Sequence, residues 1–400
     1  MNNKGSSEEQ GDSVNTQAGY LGITPPQGRL PPRGQRAWVE RPEQLLQAVE
    51  RLEQAPVVAI DAEFTQMRSH TQSETTGPRL ALLQLAIDGY CFVVDALRLR
   101  DLEQLNVVVD NPNILVLLHG AGADLRVMAE RGLSVAFYYD LEATSRSVFG
   151  QHESSLAAML QRALNMRLDK SLQRTDWTRR PLPPAMVAYA ARDAEMTLAL
   201  YYWLQEHFAW ALRLHASSNL QEPVAEWIEP FLHGSLSLPA EVIVTEAIKQ
   251  GNVRDQDQVL ADCREALLSL THPMRKSRLL RLITELSLVQ LASEVRPLLL
   301  APTADERAGA IRTLSRLGSE DARELIMPLL QDPVHDVRKA AQTALRLSGQ
   351  KEPRSQWATP KRQADGSRSW TVGDTSAPAD SSGGADDDWR ARLRSLINDD

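Results

Sequence analysis

Apolar and polar positions divide the chain into a patterned middle and two unpatterned ends. Residues 1–35 are rich in Gly, Ser, Gln, Asn and Pro and read as a disordered leader, and 351–400 read as a disordered tail. In the middle, Leu45, Leu46, Val49 and Leu52 mark one face of a helix opening at Pro42. Val57-Val58-Ala59-Ile60 is a continuous apolar run, the pattern of a strand covered on both faces, and it leads straight into Asp61-Ala62-Glu63-Phe64. A polar loop, Gln66 to Pro78, separates it from a second apolar run, Arg79 to Ile87. Asp88-Gly89 then supplies a hairpin turn into Tyr90–Asp95, so three antiparallel strands are expected, the first bearing the acids. A helix around 100–109, a buried strand at Ile114–Leu118, a His119-Gly120-Ala121-Gly122 turn and a helix from Asp124 to Glu130 follow. The pattern recurs as a strand at Val135–Tyr139 and helices at 141–149 and 154–166, and Pro183-Pro184 suits the first turn of a long helix running to about Phe208.

Beyond 210 the periodicity is helical throughout. Residues 211–257 are weakly patterned and broken by Pro223, Pro230 and Pro239, which reads as a helical connector. From 258 to 350 the chain repeats itself: Glu294–Pro302 aligns with Leu325–Pro333 at a period of 31, and Arg307, Ala310, Leu314 and Gly318 meet Arg338, Ala341, Leu345 and Gly349 at the same offset. Two helices per period is the arithmetic of an all-α solenoid, similar to HEAT-like repeats and suited to a protein partner. Arg307 and Arg338 either form a basic ridge for RNA or pair with neighbouring acids. In the tail, Trp389, Leu393, Leu396 and Ile397 lie on one face of a short helix, as a docking face or a frayed end.

Composition adds limits. A chain of 400 residues with 42% hydrophobic and 24% charged residues is of ordinary globular make-up, with room for two or three domains. Two isolated cysteines, Cys91 and Cys263, argue against a disulfide framework or a zinc site and fit a cytoplasmic location. No apolar run reaches the length of a membrane span, so no membrane partner is expected. The net charge of −8 means that any nucleic-acid binding must use a local basic patch. Residues 36–210, the first patterned domain, hold 17 basic against 22 acidic side chains, yet Lys170, Arg174, Arg179 and Arg180 cluster around Trp177 as a basic island.

Asp61 and Glu63, two apart on a strand, share a face. Carboxylates so close repel unless a cation lies between them, and hard divalent cations favour carboxylate oxygens, so the pair reads as half of a Mg²⁺ or Mn²⁺ site. The alternative is a turn cap and a solvated charge. Asp124 follows a Gly-rich turn at a sheet end, where it either projects into a site or caps a helix. Tyr189 and Asp193, at i and i+4, share one helical face, with a surface charge as the alternative for Asp193.

Together Asp61-x-Glu63, Asp124 within His119–Leu125, and Tyr189-x-x-x-Asp193 resemble the three motifs of DEDD-type 3′–5′ exonucleases of the tyrosine subgroup, ribonuclease D in particular. Leu168–Leu182, with its basic residues around Trp177, and Ala59–Phe64 carry the most specific part of the likeness, which spans roughly residues 38–208. It implies an α/β, ribonuclease H-like mixed sheet flanked by helices, followed here by the all-α solenoid. It also implies two divalent ions held by Asp61, Glu63, Asp124 and Asp193, Tyr189 orienting the attacking water, and hydrolysis from the 3′ end of single-stranded RNA, with transfer-RNA 3′ processing the activity that the family name suggests. Lys170, Arg174, Arg179, Arg180 and Arg68 are then phosphate contacts, and Trp177 either stacks on a base or anchors its loop. His119 is assigned to shaping the turn. The chain departs from its relatives in having His70 and an extra Thr71–Gly77 after the first motif, and helical repeats where HRDC domains are usual. Single-stranded DNA as substrate, or a vestigial nuclease fold on a solenoid adaptor, are the competing readings.

Overall fold

The computed structural model describes residues 25–30, 32, 34–65, 78–169, 171–173, 175–233, 239–318 and 321–347, and two short strands at Lys361–Arg362 and Arg368–Ser369. Arg68, the Thr71–Gly77 insertion, Lys170, Arg174, residues 1–24 and the 386–397 segment lie outside them. The described residues form two compact units: 25–146 with His152–Gln221, and Ser147–Gln151 with Glu222 onward.

The first unit is organised by one sheet of six strands: β1 (Gln35–Val39), β2 (Val57–Thr65), β3 (Arg79–Ile87), β4 (Tyr90–Asp95), β5 (Leu115–Leu118) and β6 (Tyr138–Asp140). Their spatial order is β1-β4-β3-β2-β5-β6. β2 pairs antiparallel with β3 and parallel with β5, and β1 runs parallel to β4, so β3 alone opposes the rest. This is the mixed sheet expected of a ribonuclease H-like domain. β2 lies at the centre beside β3, and its Val57–Ile60 half has no polar side chain to place on either face.

Alternation along the strands separates two faces. Val58, Ile60 and Ala62 of β2 join Leu83 and Leu85 of β3 and Phe92 and Val94 of β4 in a core. Helix α1 (Pro42–Leu52) covers it with Leu45, Val49 and Leu52, while α2 (Asn106–Val109) and α3 (Gly122–Ala129) add Val108, Val109, Val127 and Met128. Each fully buried aliphatic contributes about 1.5–3 kcal/mol. Asp61 and Glu63 are on the other face. There a later helix presents Ala190, Ala191 and Ala194, all at 0% exposure, and their lack of bulk lets its backbone come close enough for the Cys91 thiol to donate to the Ala191 carbonyl at 3.6 Å.

That helix follows α4 (Leu141–Phe149) and α5 (Leu156–Leu164) and is α6 (Pro184–Leu214). Its interior breaks at Phe208 (φ −139°, ψ 34°), where sequence periodicity predicts the end, and a further turn and a half continues beyond. β1 is not anticipated by periodicity, since Gln-Arg-Ala-Trp-Val has no clear alternation. Its pairing is tertiary: Gln35 N–H donates to the Gly89 carbonyl at 2.8 Å, and a Cβ on Gly34 would stand 2.7 Å from Gly89 backbone. Residues 25–30 of the expected leader are packed. Trp203 Nε1 donates to the Pro26 carbonyl at 3.0 Å and Gly28 N–H to Ala163 at 2.8 Å.

The second unit is all-helical, as expected. Among its helices are α7 (Glu229–His233), α8 (Ala240–Lys249), α9 (Gln256–Ser269), α10 (Pro273–Glu285), α11 (Ala292–Val295), α12 (Ala304–Leu317), α13 (Ala322–Ile326) and α14 (His335–Leu347). Trp227, Ile228 and Phe231 from the connector share one core with Leu279, Ile283, Leu314 and Leu345 from the repeat. The 31-residue period is structural, because 3₁₀ turns recur at Arg296–Leu300 and Met327–Gln331, each followed by a long helix. Arg307 Nη1 reaches the Ala301 and Pro302 carbonyls and Arg338 Nη1 the Asp332 and Pro333 carbonyls, the same offsets in both copies. Arg307 also grips Asp332 at 2.8 and 3.1 Å. Both arginines are 4% exposed, which corrects the idea of a basic ridge: their charge is turned inward to cap carbonyls.

Candidate metal centre

Alternation on β2 delivers Asp61 and Glu63 to one face, and the ladder shifts register between Glu63 and Phe64, so a bulge sits at the end of the acidic segment. From the facing helix α6, Asp193 joins them: one carboxylate oxygen from each of Asp61, Glu63 and Asp193 lies within 4.8 Å of the others. One helical turn before Asp193, the Tyr189 hydroxyl donates a hydrogen bond to its carboxylate.

Asp124, in the first turn of α3, is outside that 4.8 Å group but close enough for its charge to act with those of Asp61 and Glu63. It is not the helix cap, which is Ala121 without a side-chain cap bond. The turn that aims it is fixed by a residue that the sequence did not single out. Asp140, at the end of β6, accepts from Gly120 N–H (3.0 Å) and Ala121 N–H (3.2 Å) with one oxygen each, and from Glu142 N–H (3.0 Å) and Ala143 N–H (3.2 Å). One carboxylate thus caps the starts of both α3 and α4, satisfying amides that helix ends leave without partners. Gly120 has φ +81°, and a Cβ there would meet the Glu142 carboxylate at 2.7 Å, so glycine is required. His119 turns inward, its Nε2 at 3.0 Å from the Ser154 carbonyl, and burial lowers its pKa; it shapes the turn, as expected.

The electrostatics are those of acids with too little compensation. Burial, then the charges of Asp61, Asp193 and Asp124, push Glu63 up to about 9. Burial with Asp61 and Asp140 takes Asp124 to about 8, and burial takes Asp61 to about 6. Tyr189 is held above its ordinary range by burial and by Asp193. Such a cluster of hard oxygen donors, with carboxyls pushed up for want of positive charge, is the donor set that a divalent Mg²⁺- or Mn²⁺-type ion takes.

The basic loop behaves differently from expectation. Arg180 is no phosphate ligand: its guanidinium forms a two-pronged bond with Asp95 (2.7 and 2.7 Å), which is fully buried, and caps the carbonyls of Ala81 and Trp177. Trp177 is 3% exposed with its ring 6.1 Å from that of Tyr189, which favours anchoring of the loop against Tyr189 over base stacking. Arg179 remains exposed. A signal for Arg180 was present in the sequence, because a buried Asp95 ending an apolar strand requires a partner.

Comparison with known proteins agrees with this geometry. Residues 36–209 match the family model for 3′–5′ exonuclease domains. The exosome complex component 10 homolog of Drosophila melanogaster is 34% identical over 165 residues, 41% of this chain and 18% of that protein. Ribonuclease D of Haemophilus influenzae is 29% identical over 166 residues (41% and 40%), and that of Gluconacetobacter diazotrophicus 34% over 169 (41% and 41%). The chain thus spans between 18% and 41% of the length of these relatives. Over 36–209, the segment holding all five clustered residues, the chain is thus similar to 3′–5′ exonuclease domains and, in these relatives, to ribonuclease D.

Proposed function

We propose that the protein is a metal-dependent 3′–5′ exoribonuclease that hydrolyses phosphodiester bonds from the 3′ end of single-stranded RNA. The observation that carries this reading is the convergence of Asp61, Glu63, Asp124 and Asp193 from one strand and two helices into a charge-deficient cluster beside Tyr189. Two divalent cations, Mg²⁺ or Mn²⁺, bound there would supply Lewis-acid stabilisation of charge developing on the phosphate oxygens. Asp61 leads the charges acting on both Glu63 and Asp124, which supports a central position serving both ions. The Tyr189 hydroxyl, kept protonated at neutral pH and bound to Asp193, orients the attacking water rather than removing its proton. Arg179, with Arg68, Lys170 and Arg174, contacts the RNA backbone. The relatives' names support RNA as the substrate, transfer-RNA precursors are the RNA to try by the family likeness, the HEAT-like repeats support a protein partner or long-substrate contact, and the isolated buried cysteines fit a cytoplasmic location.

The test is stepwise shortening of a 3′-hydroxyl single-stranded RNA in Mg²⁺ or Mn²⁺, beside a matched DNA oligomer and an unprocessed transfer-RNA precursor. Shortening is expected to stop with EDTA, and trimming that persists in EDTA would refute the metal mechanism. Asp61→Asn is expected to lower kcat by about 10³-fold or more, the loss of several kcal/mol of metal stabilisation, while RNA binding survives.

A further inference from the structure

Beside the acidic cluster lies a side chain that neither the folded core nor the proposed chemistry explains. Gln84, in the middle of β3, is 0% exposed, and both atoms of its carboxamide lack a hydrogen-bond partner among the described residues. An amide buried that way costs about 1–3 kcal/mol, and an apolar residue of the same shape would avoid it. Its position is informative. In the sheet register Gln84 is directly opposite Asp61, and directly opposed residues hold their Cβ atoms about 4.5–5.5 Å apart on one face. On its other side stands Val93. The diagonal polar neighbours on β4 are occupied: the Cys91 thiol donates to Ala191, and Asp95 is held by Arg180. On β2 the acceptors are Asp61, directly opposite, and Glu63, on the diagonal, and Asp61 is the nearer in the register.

We propose that Gln84 is a positioning residue: its Nε2–H donates to the Asp61 carboxylate when that carboxylate binds a divalent cation, fixing its orientation. The proposal rests on the reading of the acidic cluster as a metal site. Partners of this kind, which orient a ligand without touching the metal, are worth 10–100-fold in metal affinity.

The test uses the full chain. Gln84→Met keeps volume and removes the amide. Expected are a Mn²⁺ Kd weakened about 10–100-fold, read from the electron paramagnetic resonance of free Mn²⁺, and a metal-free melting temperature equal to or above that of the unaltered protein. A merely structural role would do the reverse, lowering the melting temperature and sparing the Kd, and an unchanged Kd overturns the proposal. Should Gln84→Met fail to fold, ¹⁵N-glutamine labelling of the unaltered protein reads the same bond. Mg²⁺ is expected to shift one buried side-chain amide signal, and no shift overturns the proposal. If the unaltered protein binds no Mn²⁺, the metal-site reading itself fails; if it binds and Gln84→Met binds equally, only the role of Gln84 fails.

Discussion

At the residue scale, the acids of the cluster are tuned by one another and by burial more than by their chemical type. Glu63 near 9, Asp124 near 8 and Asp61 near 6 all lie above the ordinary carboxylate range, so in the absence of a cation they hold protons that a metal must displace. Mn²⁺ affinity is therefore expected to rise as pH increases from about 6 to 9, with proton release on binding that calorimetry in buffers of different ionisation enthalpy will detect. A flat affinity over that range would mean the carboxylates are already ionised. Tyr189→Phe removes the hydroxyl that meets Asp193 while keeping the ring against Trp177. Its kcat is expected to fall about 10²-fold, as for a slightly misplaced reactant, with metal Kd little changed.

At the element scale, what was legible was what obeys a period. The acidic strand, the hairpin at Asp88-Gly89 and the pairing of Tyr189 with Asp193 follow from alternation and helical spacing, and they are where periodicity places them. What was not legible depends on partners distant in the chain. β1 is a strand because β4 is beside it, and the long helix passes its predicted end because the chain after Phe208 has its own contacts, such as Tyr138 N–H to Ser217 Oγ at 2.9 Å. The basic loop is the clearest case, since Arg179 and Arg180 look alike in sequence, yet Arg180 is turned onto buried Asp95 and Arg179 is exposed. Arg180→Ala is expected to cost about 3 kcal/mol or more by stranding buried Asp95, visible as a lowered melting temperature. Arg179→Ala is expected to leave stability within about 0.5 kcal/mol and weaken RNA binding. Equal effects of the two would undo the distinction.

For the whole molecule, the cluster is a liability to folding that a bound cation would relieve. A carboxyl whose folded pKa is raised binds more protons folded than unfolded, so its contribution to stability falls as pH rises from the unfolded value near 4 through the folded value. The metal-free protein is accordingly expected to lose stability between about pH 5 and 9, and saturating Mg²⁺ to restore it by binding the native state alone. Thermal melts across that range with and without Mg²⁺ check both statements, and a metal-free melting temperature that climbs with pH would contradict them. The helical unit illustrates the opposite solution. There Arg307 and Asp332 neutralise each other inside the core, leaving no charge for an ion to satisfy.

The row of alanines on α6 works as a spacer of fixed thickness. Ala190, Ala191 and Ala194 set how far the helix carrying Tyr189 and Asp193 rides above the strand carrying Asp61 and Glu63, so the gap between the two halves of the site is dictated by residues that bind nothing. Thickening that shim by a few methyl groups, as in Ala191→Leu, would pry the jaws apart. Overpacking of this kind costs about 1–3 kcal/mol, and here it would act on ion capture as well, with every ligand still in the sequence. Tolerance to substitution along this helix should therefore follow side-chain volume rather than polarity, and ion capture is expected to be lost from a position that a catalogue of the acids would pass over.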